Sequence, residues 1–170
     1  MATLIQLTRG KVAVIDDGDA SLVTGGPRWR AVPSHRKDGT TCWYAGRTVA
    51  LDDGRHSTEY MHRLIVGARK AEEVDHRDHD GLNNRRSNLR RCSRTQNQIN
   101  VRTSGGACGF RGVEYRPAQG YYRAAVTLPR RKHYAGNFPT AEAAAAAYDA
   151  LALSLHGEFA VLNFPARKAA

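Results

Sequence analysis

Val74-Asp75-His76, Gly81-Leu82-Asn83-Asn84-Arg85, Ser87-Asn88-Leu89-Arg90 and Gln96-Asn97-Gln98-Ile99-Asn100 follow one another in a single short stretch. The residue types suit hydrolysis of a phosphodiester. A neutral imidazole can take a proton from water near pH 7. A carboxylate and an amide carbonyl are hard oxygen donors of the kind a small divalent cation prefers. Asp75 and His76 are adjacent, so on a regular strand they point to opposite faces. Both can serve one site only where the backbone bends or the strand ends. Asn97 falls in a segment that reads as a helix starting near Asn88, and a hairpin packed on that helix would bring Asp75 and Asn97 together. The same residues also suit plain turns: Leu82-Asn83-Asn84 is a turn by composition alone.

Charge separates these readings. The 170 residues carry 26 Lys plus Arg against 16 Asp plus Glu, a formal net charge of +10. Residues 84–102 contain Arg85, Arg86, Arg90, Arg91, Arg94 and Arg102 with no acid among them. Like charges so crowded repel, and an anionic partner relieves them; nucleic acid is the commonest. Hydrophobic residues make up 41% and charged residues 25%, the composition of a folded domain. No apolar run approaches the roughly 20 residues that cross a bilayer, and residues 1–9 lack the layout of a signal peptide. Cys42, Cys92 and Cys108 are far apart, which excludes a zinc ribbon and argues for a reducing, cytoplasmic setting.

Outside that stretch the chain reads as α+β. Short strands are expected at residues 4–7, 11–15, 29–32 and 41–49, with a helical turn or two between 16 and 23. Thr-Ser-Gly-Gly-Ala-Cys-Gly, residues 103–109, is a small-residue linker. Beyond it, strands are expected at 109–115, 121–128 and 132–138, followed by a helix over 141–155. Thr140 is its N-cap, Glu142 sits in its first turn and Gly157 closes it. In the strand over 121–128, Tyr122, Ala124, Val126 and Leu128 form an apolar face for that helix, while Tyr121, Arg123, Ala125 and Thr127 point away.

Two resemblances attach to these residues. Met61-His62-Arg63-Leu64-Ile65, Val74-Asp75-His76, Leu82-Asn83-Asn84-Arg85, Ser87-Asn88-Leu89-Arg90 and Gln96-Asn97 resemble the phage and homing-type HNH endonucleases. Their catalytic unit is a ββα-metal motif, a hairpin followed by a helix with one ion between. The resemblance implies a DNA endonuclease, of nicking or homing type, that leaves 5′-phosphate and 3′-hydroxyl ends. It implies His76 as general base, Asp75 and Asn97 as ligands of Mg²⁺ or Mn²⁺, and Asn88 as the residue that braces the hairpin loop and orients His76. His62 recurs in the family's Met-His-Arg segment without an assigned role. His79 reads as an exposed loop residue, with Asp78 and Asp80 as loop carboxylates. Asn83 stands where the family commonly has Asp.

Phe110-Arg111-Gly112-Val113, Gly136-Asn137-Phe138, Thr140-Ala141-Glu142, Ala147-Tyr148-Asp149 and Leu162-Asn163-Phe164-Pro165 look like an AP2-type DNA-binding domain, a three-stranded antiparallel sheet backed by one helix. That resemblance points Arg111, Arg116, Arg123, Lys132 and Tyr134 toward duplex DNA, while Arg85, Arg86, Arg90, Arg91 and Arg94 would grip phosphate. Glu114 and Ala125 stand where plant members have Arg and Glu, so their target does not transfer. The expected organisation is a β-rich region over 1–55, an HNH unit over 56–102, the linker, and an AP2-like domain over 110–165. No heptad stripe is present, which suggests a monomer or weak dimer in a bacterial host, encoded by a phage. A non-cleaving DNA-binding regulator on the same scaffold is the second reading, and an RNA binder or RNase the third.

Overall fold

The structure is a computed structural model and describes residues 1–36, 39–99, 106–128 and 131–165. The chain divides into two compact units, Met1–Arg94 and Thr95–Ala170. The division falls ahead of the expected linker, of which residues 103–105 lie outside the described residues, as does Arg102.

The first unit holds three small antiparallel sheets. Strands β1 (Ala2–Gln6) and β2 (Val12–Asp16) pair as one. The second joins β3 (Arg30–His35), β4 (Thr41–Ala50) and β5 (His56–Tyr60) in that order. This sheet crosses residue 55, where the sequence suggests a boundary. The third is the hairpin of β6 (Glu73–His76) and β7 (Leu89–Cys92). A four-residue helical turn, α1 (Ala20–Val23), follows β2, and a short helix, α2 (Met61–Val66), follows β5 directly. Gly67 ends α2 in the left-handed conformation, φ 60°, which glycine adopts at little cost.

Alternation explains the core. In β2, Ala13 and Ile15 are fully buried while their neighbours are not. They meet Leu7, Val23, Trp29, Ala31, Ala45, Met61, Ile65, Val74 and Leu89 in one cluster drawn from all three sheets. Trp29 satisfies its indole N–H on the Val23 carbonyl at 2.8 Å, as a buried tryptophan must.

The second unit begins with α3 (Arg94–Ile99), whose first residue closes the first unit. Helix does not start near Asn88: residues 89–92 form β7 and α3 begins at Arg94. The Asn88 side chain is occupied with backbone groups of the preceding loop, a competition that keeps Asn out of helix interiors. Strands β8 (Val113–Arg116), β9 (Tyr121–Leu128) and β10 (Arg131–Phe138) form an antiparallel sheet with β9 central. Helix α4 (Ala141–His156) lies on it. The Thr140 hydroxyl accepts from the Ala143 N–H at 3.2 Å, the N-cap expected from sequence. Ala144, Ala145, Tyr148 and Ala152 bury one face of α4 against Val113, Ala124 and Val126. Asp149 accepts from the backbone N–H groups of Asn163 and Phe164 and ties down the segment after the helix.

Gly112 makes this packing possible. Its φ is +69°, and a Cβ there would meet the Tyr148 ring at 2.2 Å and the Ala125 carbonyl at 2.7 Å. Gly112→Ala is therefore expected to destabilise the protein by about 3 kcal/mol through backbone strain and overpacking. Chemical denaturation followed by circular dichroism measures it.

Candidate functional site

The hairpin β6–β7 is built around its loop, residues 77–88. Asp78 Oδ1 accepts from the Asp80 N–H at 2.9 Å and from Asn88 Nδ2, also at 2.9 Å. Asp78 Oδ2 accepts from Asn83 Nδ2 at 2.6 Å. Asn88 Nδ2 also donates to the Asn83 carbonyl at 2.8 Å, and Asn88 Oδ1 accepts from the Asp78 N–H at 3.1 Å. Asn88 thus ties the two ends of the loop together. Asp78 and Asp80 are loop carboxylates that satisfy turn backbone. Hydrogen bonds lower the Asp78 carboxyl pKa, overcoming the larger opposing effect of burial.

The loop is stitched to the first sheet. The Val14 N–H donates to the Leu82 carbonyl at 2.9 Å and the Asn84 N–H to the Val14 carbonyl at 2.7 Å. At Gly81 a Cβ would stand 2.4 Å from the Trp43 carbonyl, so only glycine allows the loop this close to β4.

His76 is the last residue of β6, the strand end that lets it and Asp75 lie near one site. Its ring is buried among other rings. His62 of α2 meets it edge-on at a centroid distance of 5.0 Å, and Tyr44 of β4 lies at 5.8 Å. Tyr60 stacks on His62 at 5.5 Å. Burial pushes the His76 pKa down, partly offset by the Asn84 side chain and then by the charges of Asp78, Asp75 and Asp80. The imidazole is accordingly neutral at pH 7, the form a general base requires. Asn84 is fully buried; its Nδ2 donates to the Leu82 carbonyl at 3.0 Å. Burial, aided by the charges of His76 and Arg63, pushes His62 further, to about 3.

Asp75 faces Arg90 across the hairpin. Its Oδ2 accepts from Arg90 Nε at 2.8 Å and from Nη2 at 2.6 Å. Asp75 lies in this unit, and Asn97, the other ligand the resemblance implies, lies on α3 in the second. An all-oxygen donor set with one carboxylate fits Mg²⁺ or Mn²⁺, which keep several waters. Among the described residues no group of three or more His, Cys, Asp or Glu could hold a metal.

Several arginines of the basic run have partners inside the fold. Arg86 holds buried Asp19 through Nε, at 3.0 Å to both carboxylate oxygens, and through Nη2 at 2.6 Å; its backbone N–H donates to Asp16. Arg91 Nη2 donates to the carbonyls of Val66 and Gly67 at the end of α2. Arg90 is buried on Asp75. Arg85 and Arg94 are exposed, Arg85 Nε donating to Asn83 Oδ1 at 2.9 Å. His79 is half-buried rather than exposed: its backbone is left-handed, φ 65°, which turns its N–H back onto the His76 carbonyl at 3.0 Å.

In the second unit, Arg123 of β9 lies over two rings, Tyr134 at 5.5 Å and Tyr121 at 6.0 Å. Glu114 pairs with Arg116 at 2.9 Å and faces Arg123 across the strands. Lys132 and Tyr134 are exposed on β10. These groups line one depression of 180 Å³. Arg111 is set apart from them: its Nε donates to the hydroxyl of buried Tyr148 at 3.0 Å.

Sequence reading missed Tyr44, Tyr60 and the placement of Asn84 against His76. The tyrosines come from strands outside the motif and carry no local signal, whereas Asn84 was within the quoted stretch and read as a turn residue.

The described residues form a mixed α and β chain of several small antiparallel sheets and few helices, consistent with the expected α+β class. No family profile matches the chain. It is 35% identical over 127 residues, 71% of its length and 66% of the relative's, to an uncharacterized HNH endonuclease of Acanthamoeba polyphaga mimivirus. It is 45% identical over 60 residues, 34% of its length, to dehydration-responsive element-binding protein 2A of Arabidopsis thaliana, and 43% identical over 70 residues, 38% of its length, to an ethylene-responsive transcription factor of the same plant. The chain spans just under two thirds of the viral protein and 18% and 29% of the two plant proteins. The chain is thus similar to an HNH endonuclease over most of its length and to two plant transcription factors over about a third of it. No helix among the described residues is long and apolar enough to cross a membrane.

The depressed imidazoles make stability pH-dependent. The folded state keeps His62 neutral down to about 3, while the unfolded chain protonates near the ordinary 6.5. Between these values the unfolded state binds more protons, so stability is lost as pH falls below about 6.5. His76 acts in the same direction. The midpoint of urea unfolding is expected to drop steadily from pH 7 to pH 4.5, and less steeply in His62→Gln.

Proposed function

We propose that the protein is a DNA endonuclease that hydrolyses phosphodiester bonds, with the hairpin unit cutting and the AP2-type region holding the duplex. The observation that carries this reading is the neutral, buried His76 at a strand end, one residue from a carboxylate and above a loop braced by Asn88. His76 takes the proton of the attacking water. Asp75 and Asn97 would hold the divalent ion, Mg²⁺ or Mn²⁺. When bound, that ion stabilises charge on the phosphate and the leaving 3′ oxygen. Hydrolysis then leaves 5′-phosphate and 3′-hydroxyl ends.

The proposed DNA contacts are Arg116, Arg123, Lys132 and Tyr134 on the open sheet face, with Arg85 and Arg94 on phosphate. A sheet fits the major groove, where Arg can grip phosphate or read guanine. Two rings flank Arg123, a cation–π setting that favours one placement of its guanidinium. One active site per chain implies nicking by a monomer. A non-cleaving DNA-binding regulator is the second reading, favoured by the Arg90 guanidinium that occupies Asp75.

Supercoiled plasmid incubated with the protein and Mg²⁺ is expected to give open circles, and His76→Ala to slow this at least about 100-fold. Duplex binding by the mutant, followed by fluorescence anisotropy, should stay within about twofold. Intact plasmid and genomic DNA in both Mg²⁺ and Mn²⁺, with duplex binding retained, would support the regulator instead. Arg123→Ala is expected to weaken duplex binding about tenfold and reduce the salt slope of affinity by about 1, while leaving the cleavage rate at saturating protein unchanged.

A further inference from the structure

The pairing of Asp75 with Arg90 bears on how this chain takes up a divalent ion. Both side chains are 7% exposed, and both guanidinium contacts fall on one carboxylate oxygen, Oδ2. The two residues occupy facing positions on β6 and β7, so strand register brings them together. Arg90 is the neighbour of Leu89, which anchors β7 in the core, and it has little room for the solvated rotamers open to a surface arginine. A guanidinium and a hard cation make the same demand on Asp75, namely its oxygen lone pairs. Together on one buried carboxylate, a charge of +1 and a charge of +2 repel with twice the energy of two unit charges.

We propose that Arg90 is a positioning residue that stands in for the divalent ion: it holds the Asp75 carboxylate aimed while no ion is present, and ion loading displaces it. This rests on the reading of Asp75 as an ion ligand. Two consequences follow. The free protein takes up the ion weakly, because loading must first break a buried, doubly hydrogen-bonded pair. The released guanidinium lies beside the ion and one residue from the His76 strand end, where a DNA phosphate would be the next anion to engage it. An ion and a duplex would then favour each other's binding.

The test uses the full chain without DNA. Mn²⁺ binding is followed by the loss of the free-ion electron paramagnetic resonance signal, for the native protein, Arg90→Gln, Arg90→Lys and Asp75→Asn. The expected result is at least tenfold tighter Mn²⁺ binding in Arg90→Gln, native-like binding in Arg90→Lys, and none in Asp75→Asn. In parallel, the side-chain Nε–H resonance of Arg90 in ¹⁵N-labelled native protein should shift and lose its protection from exchange as Mg²⁺ saturates. This second readout stands even where Arg90→Gln does not fold. Equal or weaker binding by a folded Arg90→Gln, or an Arg90 resonance unmoved at Mg²⁺ saturation, overturns the inference. Asp75-dependent binding with either of those results sinks the inference alone. Absence of any Asp75-dependent binding removes the reading of Asp75 as a ligand together with it.

Discussion

Two strands of four residues cannot hold a buried histidine in place by themselves, since an isolated hairpin is marginal in water. The site depends on the anchoring of the loop between them. Asn88 reaches forward and back across that loop, Asp78 gathers three donors, and the backbone of residues 82–84 pairs with Val14 of the first sheet. The hairpin is thereby joined to a larger assembly and gains the core of the first unit as its support. Replacing any one of these polar groups with an apolar side chain would leave loop backbone unsatisfied, at about 1–3 kcal/mol for each buried group. The conformation of His76 therefore depends on bonds made throughout the loop as well as on its own.

Burial then decides the chemistry. Rings from β4 and α2 close over His76, and the low polarity that results favours its neutral form. The same surroundings would make a bare carboxylate at Asp75 costly, so Arg90 compensates it at close range. A neutral base and a paired carboxylate at adjacent positions follow from one cause: β6 ends inside the unit rather than at its surface.

The second unit was legible almost strand for strand. Alternation in Tyr121–Leu128 and the signals at Thr140 and Gly157 are local, and local signals survive folding unchanged. For Asp75 and His76 the sequence asked for a bend or a strand end, and β6 ends at His76. The start of the helix near Asn97 was misplaced, since Leu-Arg-Arg-Cys carries no strand signal until β6 is there to pair with it. Tyr44 and Tyr60 arrive by pairings between distant segments, which no window of sequence contains, whereas the contact of Asn84 with His76 depends on how the loop between them folds.

The basic run shows why charge alone misleads. As sequence it is a cluster of repelling cations that asks for a polyanion. In the fold, Arg86 neutralises Asp19, Arg90 neutralises Asp75, and Arg91 satisfies the carbonyls that close α2. Their counterions are supplied by residues far away in the chain, so the local surplus is largely internal. Among the described residues of that run, what remains for phosphate is Arg85 and Arg94, and the greater share of the proposed contact passes to the sheet face around Arg123. On that proposal, affinity and chemistry are carried largely by different units. Loss of Arg86, Arg90 or Arg91 would act on stability or on the occupancy of Asp75, whereas an arginine lost from the sheet would act on grip.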